Sequence, residues 1–120
     1  MPKKQKALLR SIASIQPVVT SHGIGEKCVI ATNEEVGHPI TQIAKTILKK
    51  GENVASHIHP SMDEHFFFLK GICLVNVEGY EYDCVPNNYL FVPSGCRHGI
   101  RVVSDSEMIT IGIEIDEGEK

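Results

Sequence analysis

The run Gly51-Glu52-Asn53-Val54-Ala55-Ser56-His57-Ile58-His59-Pro60-Ser61-Met62-Asp63-Glu64-His65-Phe66-Phe67-Phe68-Leu69-Lys70-Gly71 decides the fold. It holds three of the six histidines in the chain. On a strand, residues i and i+2 project from one face, about 6.5 Å apart along the chain. His57 and His59 have that spacing, and two imidazoles converging from one face form a metal-chelating pair. Pro60-Ser61-Met62-Asp63 then turns the chain, and Glu64 opens the next apolar strand. An antiparallel return can bring that carboxylate back beside the imidazoles.

Farther along, Pro93-Ser94-Gly95-Cys96-Arg97-His98 places a histidine just after a tight turn. Three imidazoles and one carboxylate suit a divalent first-row metal and leave coordination positions open.

The surrounding texture is that of an all-β chain. Short stretches at 18–20, 27–30, 42–48, 66–70, 73–77, 89–92, 100–103 and 108–115 read as strands, broken by Gly, Pro and Asn turns. Many short strands with such turns predict a sandwich or barrel. In the last strand Ile109, Ile111, Ile113 and Ile115 share one face. Before Pro17, Leu8, Leu9, Ile12 and Ile15 make an apolar stripe at helical spacing, which predicts a short helical strap over residues 1–17. The barrel is then expected over 18–115, with an acidic, solvated tail at 116–120.

At this point the sequence resembles the cupin superfamily. The spacing Gly51-x5-His57-x-His59-x4-Glu64-x6-Gly71 matches the first cupin motif, and Pro93-x-Gly95-x2-His98 matches the centre of the second. Two positions depart from the pattern: Asn87 stands where the family usually has glycine, and Val102 where it usually has asparagine. Asparagine tolerates the left-handed backbone better than most residues, so Asn87 can preserve the turn.

The resemblance implies a small single-domain jelly-roll β-barrel. It implies one divalent transition metal (Fe, Mn, Ni, Co, Cu or Zn) on His57, His59, Glu64 and His98. The motif register selects Glu64 over Asp63. Alternation then turns Phe66 and Phe68 inward, and His65 and Phe67 outward. His65 is therefore not counted as a ligand, and His22 and His38 are expected in solvated turns. An outward Phe67 calls for a cover, and small cupins commonly form homodimers.

Phe66, Phe68, Tyr89, Cys96 and Arg97 are candidate substrate contacts. Tyr80 and Tyr82 are weaker candidates. Glu64 is a candidate acid or base. The site suits a metalloenzyme acting on a small oxygen-rich substrate, a sugar or hydroxy-carbonyl, by isomerisation, epimerisation or oxygenation. The alternative is a non-catalytic module that binds a small molecule such as a sugar.

Charge and cysteine usage bound the partners. Residues 1–25 carry four basic residues and no acid, whereas residues 26–120 carry 8 basic and 15 acidic ones. An acidic body repels a phosphate backbone, which argues against nucleic acid as a partner. No apolar run approaches the roughly 20 residues of a membrane span. Cys28, Cys73, Cys84 and Cys96 include no C-x-x-C pair. Without the apolar core of a secretory signal, they are expected as free thiols in a cytoplasmic protein.

Overall fold

Alternating β-branched, aromatic and polar residues build ten strands, all paired antiparallel, in the computed structural model, which describes residues 8–37 and 39–115. They are β1 (Val18–Val19), β2 (Glu26–Thr32), β3 (Ile40–Leu48), β4 (Asn53–His57) and β5 (Met62–Lys70). Then follow β6 (Cys73–Val77), β7 (Tyr80–Cys84), β8 (Tyr89–Val92), β9 (His98–Val102) and β10 (Ser106–Glu114). A six-stranded sheet runs β1-β2-β3-β10-β5-β8, and a four-stranded sheet runs β4-β9-β6-β7. Sequential strands repeatedly cross between sheets, so the two halves of the long motif face each other across the interior. His57 ends β4 in the small sheet, while Glu64 lies near the start of β5 in the large one.

The two inner faces interdigitate in one apolar core that includes Leu48, Phe68, Val75, Val92 and Met108. Alternation on β5 holds as the sequence predicts: Phe66 and Phe68 are buried and Phe67 is exposed. On β10 the inner face is Met108, Thr110 and Gly112. The isoleucines at 109, 111 and 113 therefore face outward, half-buried. The site end of the barrel is clamped by the turn before β9, where the Gly95 amide donates to the His59 carbonyl at 2.8 Å. Asn87 has φ +74°, the left-handed conformation that a glycine would otherwise supply. Val102 is 2% exposed and belongs to the core, consistent with an apolar residue at that position.

One expectation changes and two elements are added. The stripe from Leu8 to Ile15 forms a single 3-10 turn, Ile12–Ser14, and not a regular helix. Leu9 is fully exposed, so the stripe does not bury as a face. The segment is held instead by Arg10, which donates to the Ile30 carbonyl at 2.6 Å and pairs with Glu35 at 2.8 Å. Glu35 lies on α1 (Asn33–Val36), one helical turn that hydrophobic periodicity is too short to announce. β7 is an addition too, because its Tyr-Glu-Tyr-Asp sequence lies on an exposed edge and lacks an apolar run. The expected tail and His38 lie outside the described residues. All four cysteines are free thiols.

Candidate metal centre

His57 and His98 are direct partners in the β4–β9 ladder, and their ring centroids are 4.4 Å apart. His59 lies two residues on, in the extended segment just past β4 rather than on the strand itself. Its ring is edge-on to His57 at 4.8 Å. Glu64 reaches across from β5: Oε1 is 3.0 Å from His98 Nε2 and 3.3 Å from His59 Nε2. The four donor atoms all lie within 4.8 Å of one another. Donors about 2.1 Å from a common ion stand about 3 Å apart at right angles and about 4 Å apart when opposite. The two Glu64–imidazole separations match neighbouring positions on such an ion, and the donor set suits a divalent transition metal.

The tautomers also fit. Nδ1 of His57 donates to the Ala55 carbonyl at 2.8 Å, and Nδ1 of His98 donates to the Cys96 carbonyl at 2.9 Å. Each bond commits the Nδ1 proton to the backbone and leaves Nε2 to face the cluster. Burial raises the pKa of the Glu64 carboxyl, but the His98 hydrogen bond and the nearby imidazoles outweigh it, and the net pKa lies below the ordinary value. Burial pushes the His98 imidazole down, yet its bonds to Glu64 and to the Cys96 carbonyl raise it above the ordinary value. His59 moves the other way, lowered chiefly by burial. A proton shared between Glu64 and His98 thus occupies the place where a cation fits.

The cluster forms one wall of a cavity of about 120 Å³ between the sheets. Val54, Phe66, Ile100 and Met108 supply its apolar surface. Engineered cavities near 150 Å³ hold one benzene ring, so this chamber accepts about one ring or a short chain.

The pattern of the cupin domain family matches residues 44–114, which span all four donors. The chain belongs to the cupin family. Two curated Streptomyces proteins are similar to this cupin. The tetracenomycin polyketide synthase protein TcmJ of Streptomyces glaucescens is 31% identical over 88 residues, 72% of this chain and 59% of its own. The polyketide synthase CurC of Streptomyces cyaneus is 26% identical over 83 residues, 69% of this chain and 54% of its own. The cupin thus spans less than two thirds of the length of either relative. A crystal structure of a predicted oxalate decarboxylase from Thermotoga maritima superposes with a TM-score of 0.82 at 21% identity. It covers 90% of this chain and 100% of that one. At that identity the likeness shows the shared barrel.

Not every expected contact reaches the cupin's chamber. Phe66 lines it. Phe68 does not; it is 1% exposed, one row deeper in the core. Tyr89 stands on the outer face, where its hydroxyl is 2.6 Å from His65 Nδ1. Cys96 packs against the core. Arg97 precedes β9 and is not part of the chamber lining, and its backbone amide donates to Glu78 at 2.6 Å. Tyr80 and Tyr82 lie on the exposed edge strand β7, away from the chamber.

His22, by contrast, stands at the chamber mouth, with its ring 5.2 Å from that of His57. It is exposed, as a turn histidine should be, but the turn lies over the site. The Thr20 hydroxyl donates to the Ile24 carbonyl, so it accepts from His22 Nδ1 at 3.1 Å. That leaves His22 Nε2 with the lone pair. Burial lowers the His22 pKa, and the neighbouring His57 lowers it further. No sequence signal beyond the residue type marks this position, because the barrel closure alone brings the turn there.

Proposed function

We propose that this chain is a metal-dependent cupin that binds one divalent first-row transition metal through His57, His59, Glu64 and His98 and acts on a small hydroxy-carbonyl substrate. The observation that carries the proposal is the convergence of four donor atoms within 4.8 Å, with two imidazoles held in the ligating tautomer. The donor set does not discriminate among Fe, Mn, Ni, Co, Cu and Zn. When bound, such a metal supplies Lewis acidity toward a carbonyl or enediolate, and iron also supplies chemistry with dioxygen. The residues of the chain orient that chemistry. Phe66 and Met108 limit the substrate to a thin apolar body, and His22 Nε2 can accept a proton or a hydrogen bond at the mouth.

The polyketide synthase names of both curated relatives support a hydroxy-carbonyl compound over a sugar, because polyketides carry carbonyl and hydroxyl oxygens in chelating relation. A chamber of about 120 Å³ admits one ring of such a molecule, with the remainder at the mouth. One observation favours the alternative of non-catalytic binding. Among the described residues, Glu64 is the sole carboxylate lining the chamber, and ligation would occupy it.

The test is metal content by mass spectrometry on untagged protein purified without chelators, followed by turnover of β-diketones and hydroxyquinones. One equivalent of a single metal with turnover supports the enzyme. Ligand-induced thermal stabilisation with the ligand recovered unchanged supports the binding module. No metal after reconstitution with Fe, Mn, Ni or Zn rejects both metal readings.

The reading includes a homodimer. Exposed Phe67, Leu69, Tyr89 and Phe91 group on the outer face of β5 and β8, and His65 stacks on Tyr89 and Phe91. A second copy is the occupant we assign to that face. Four free thiols support a cytoplasmic location. Among the described residues, no helix is long and apolar enough to cross a membrane.

A further inference from the structure

The chamber holds a polar group that metal binding does not use. Lys27 of β2 lines it, directly opposite Thr46 of β3 in the ladder. Gln42 of β3 and Thr110 of β10 line the same sheet, and the Thr46 and Thr110 hydroxyls are 3.4 Å apart. Lys27 is half-buried. Arg10, Lys45 and Arg101 each have a carboxylate within ion-pairing distance, but among the described residues Lys27 has none. Gln42, by contrast, shares a cross-strand row with Gly112 and Glu64, at the metal end of the chamber. A lysine side chain that lines a cavity and has no carboxylate partner attracts an anionic group into it. The metal site does not provide one, because a divalent ion on Glu64 and three neutral imidazoles retains net positive charge. Lys27 and the four donors line the same chamber of about 120 Å³.

We infer that the chamber selects an anionic chelate: a ligand with vicinal or 1,3-related oxygens for the metal and a carboxylate or ionised hydroxyl at its far end, held by Lys27. This rests on the metal reading above and adds the charge of the substrate to it. The ligand is an acid of about one ring, oriented by charge at both ends. Thr46 and Thr110 offer hydroxyls along its edge, while Phe66 covers its face. A neutral sugar would leave Lys27 unpaired.

The experiment uses the full chain loaded with zinc and measures calorimetric affinity for 3,4-dihydroxybenzoate and for catechol. Both offer the same diol to the metal, and only the first carries a distal carboxylate. The wild type should prefer 3,4-dihydroxybenzoate by about tenfold or more, the worth of a hydrogen bond between charged groups. Lys27→Ala should reduce that preference to within about twofold, and Lys27→Arg should keep it. No preference in the wild type, or an unchanged preference in Lys27→Ala, overturns the inference. Zinc content measured on the same samples separates the two failures. A chain that holds no zinc fails the metal reading before any ligand is added. Benzoate against benzamide on the metal-free chain then tests Lys27 alone. A preference for benzoate that Lys27→Ala removes upholds the anion site, and equal affinities in the wild type overturn it.

Discussion

The carboxylate of Glu64 lies 3.0 Å from Nε2 of His98, a side chain only 2% exposed, and the two come from opposite sheets. The contact joins the two cupin motifs through residues 34 apart in the chain. Without a metal the contact favours the carboxylate–imidazolium form of the pair; with a metal bound, the same atoms would be ligands. Metal and proton therefore compete for one place.

That competition sets the pH behaviour. His98 has a pKa above the ordinary histidine value of 6.5, so its contribution to stability is complete below pH 6.5 and fades as the pH rises through its raised value. Glu64 has a pKa below the ordinary 4.5, so its contribution is present above 4.5 and fades as the pH falls through its lowered value. The pair therefore stabilises the metal-free chain most between those limits. His59 and His22, with lowered values, have the opposite sign and cost stability as the pH falls below 6.5. Proton NMR titration of metal-free protein should show His98 losing its proton last, above 6.5, and His59 and His22 losing theirs below it. Glu64→Gln should move His98 down toward the other two. With metal bound, the order disappears, and affinity should weaken steadily as the pH drops below neutrality. A His98 resonance that titrates below His59 would contradict this scheme.

The ligand set predicts a clear pattern of substitutions. His57→Ala, His59→Ala and His98→Ala should each weaken metal binding by more than the roughly 10–100-fold that loss of an outer-shell partner costs. His65→Ala should leave one equivalent bound, because its ring stacks on Tyr89 and Phe91 on the outer face of the sheet. Equilibrium dialysis with zinc, read by mass spectrometry, provides the measurement. Metal loss in His65→Ala would mean that the register of β5 is wrong by one residue, since a one-residue slip exchanges the two faces.

The site was legible because its geometry is local before it is tertiary. The His57-x-His59 spacing, the turn at Pro60 and the alternation from Glu64 to Phe68 each follow from the period of two on a strand. Only the arrival of His98 needed the barrel, and the motif resemblance supplied it. The rest depends on long-range closure. His22 and Lys27 reach the chamber because β1 and β2 join the large sheet beside β3, which no spacing in 17–30 encodes. Helical spacing in Leu8–Ile15 misled because eight residues nucleate poorly and no apolar surface accepts their stripe. Leu9 is left fully exposed.

Phe66 and Phe68 separate core from chamber. Their rings are stacked with centroids 6.1 Å apart on one face of β5, yet only Phe66 lines the cavity. Phe68→Ala should cost about 3–5 kcal/mol by urea denaturation, as for other buried aromatic truncations. Phe66→Leu and Phe68→Leu should each cost less. Only the Phe66 variant should change the affinity of the zinc-loaded chain for catechol. An equal effect from Phe68→Leu would place the deeper ring in the chamber wall.

Apolar exposure on the outer face predicts the association state. Phe67, Leu69, Tyr89 and Phe91 are each between 41% and 53% exposed on neighbouring strands, an apolar grouping that water penalises unless another surface covers it. Sedimentation should find a dimer for the wild type and a monomer for Phe67→Asp. A metal-binding monomer in the wild type would leave the patch to some other partner.

The two glycines that bracket the long motif predict different costs. Gly51 has φ +88° and nothing within 4 Å of where a Cβ would stand, so Gly51→Ala should incur only the left-handed penalty of about 1–2 kcal/mol. Gly71 has φ +81°, and a Cβ there would run into the Asp105 carbonyl and the buried Ser106 hydroxyl. Backbone cannot rotate aside as a side chain does, so Gly71→Ala should cost clearly more than Gly51→Ala and loosen the turn between β5 and β6 against the start of β10. Asn87, at φ +74°, provides the control. Its amide donates to the Phe68 carbonyl at 2.8 Å, so the turn before β8 is already tied to β5. Asn87→Gly should be neutral or slightly stabilising, and Asn87→Ala should cost about 1–2 kcal/mol. Urea denaturation of the four variants orders them. Equal costs for Gly51→Ala and Gly71→Ala would show that the β5–β6 turn yields without displacing Asp105, and that only the backbone angle makes the second motif glycine necessary.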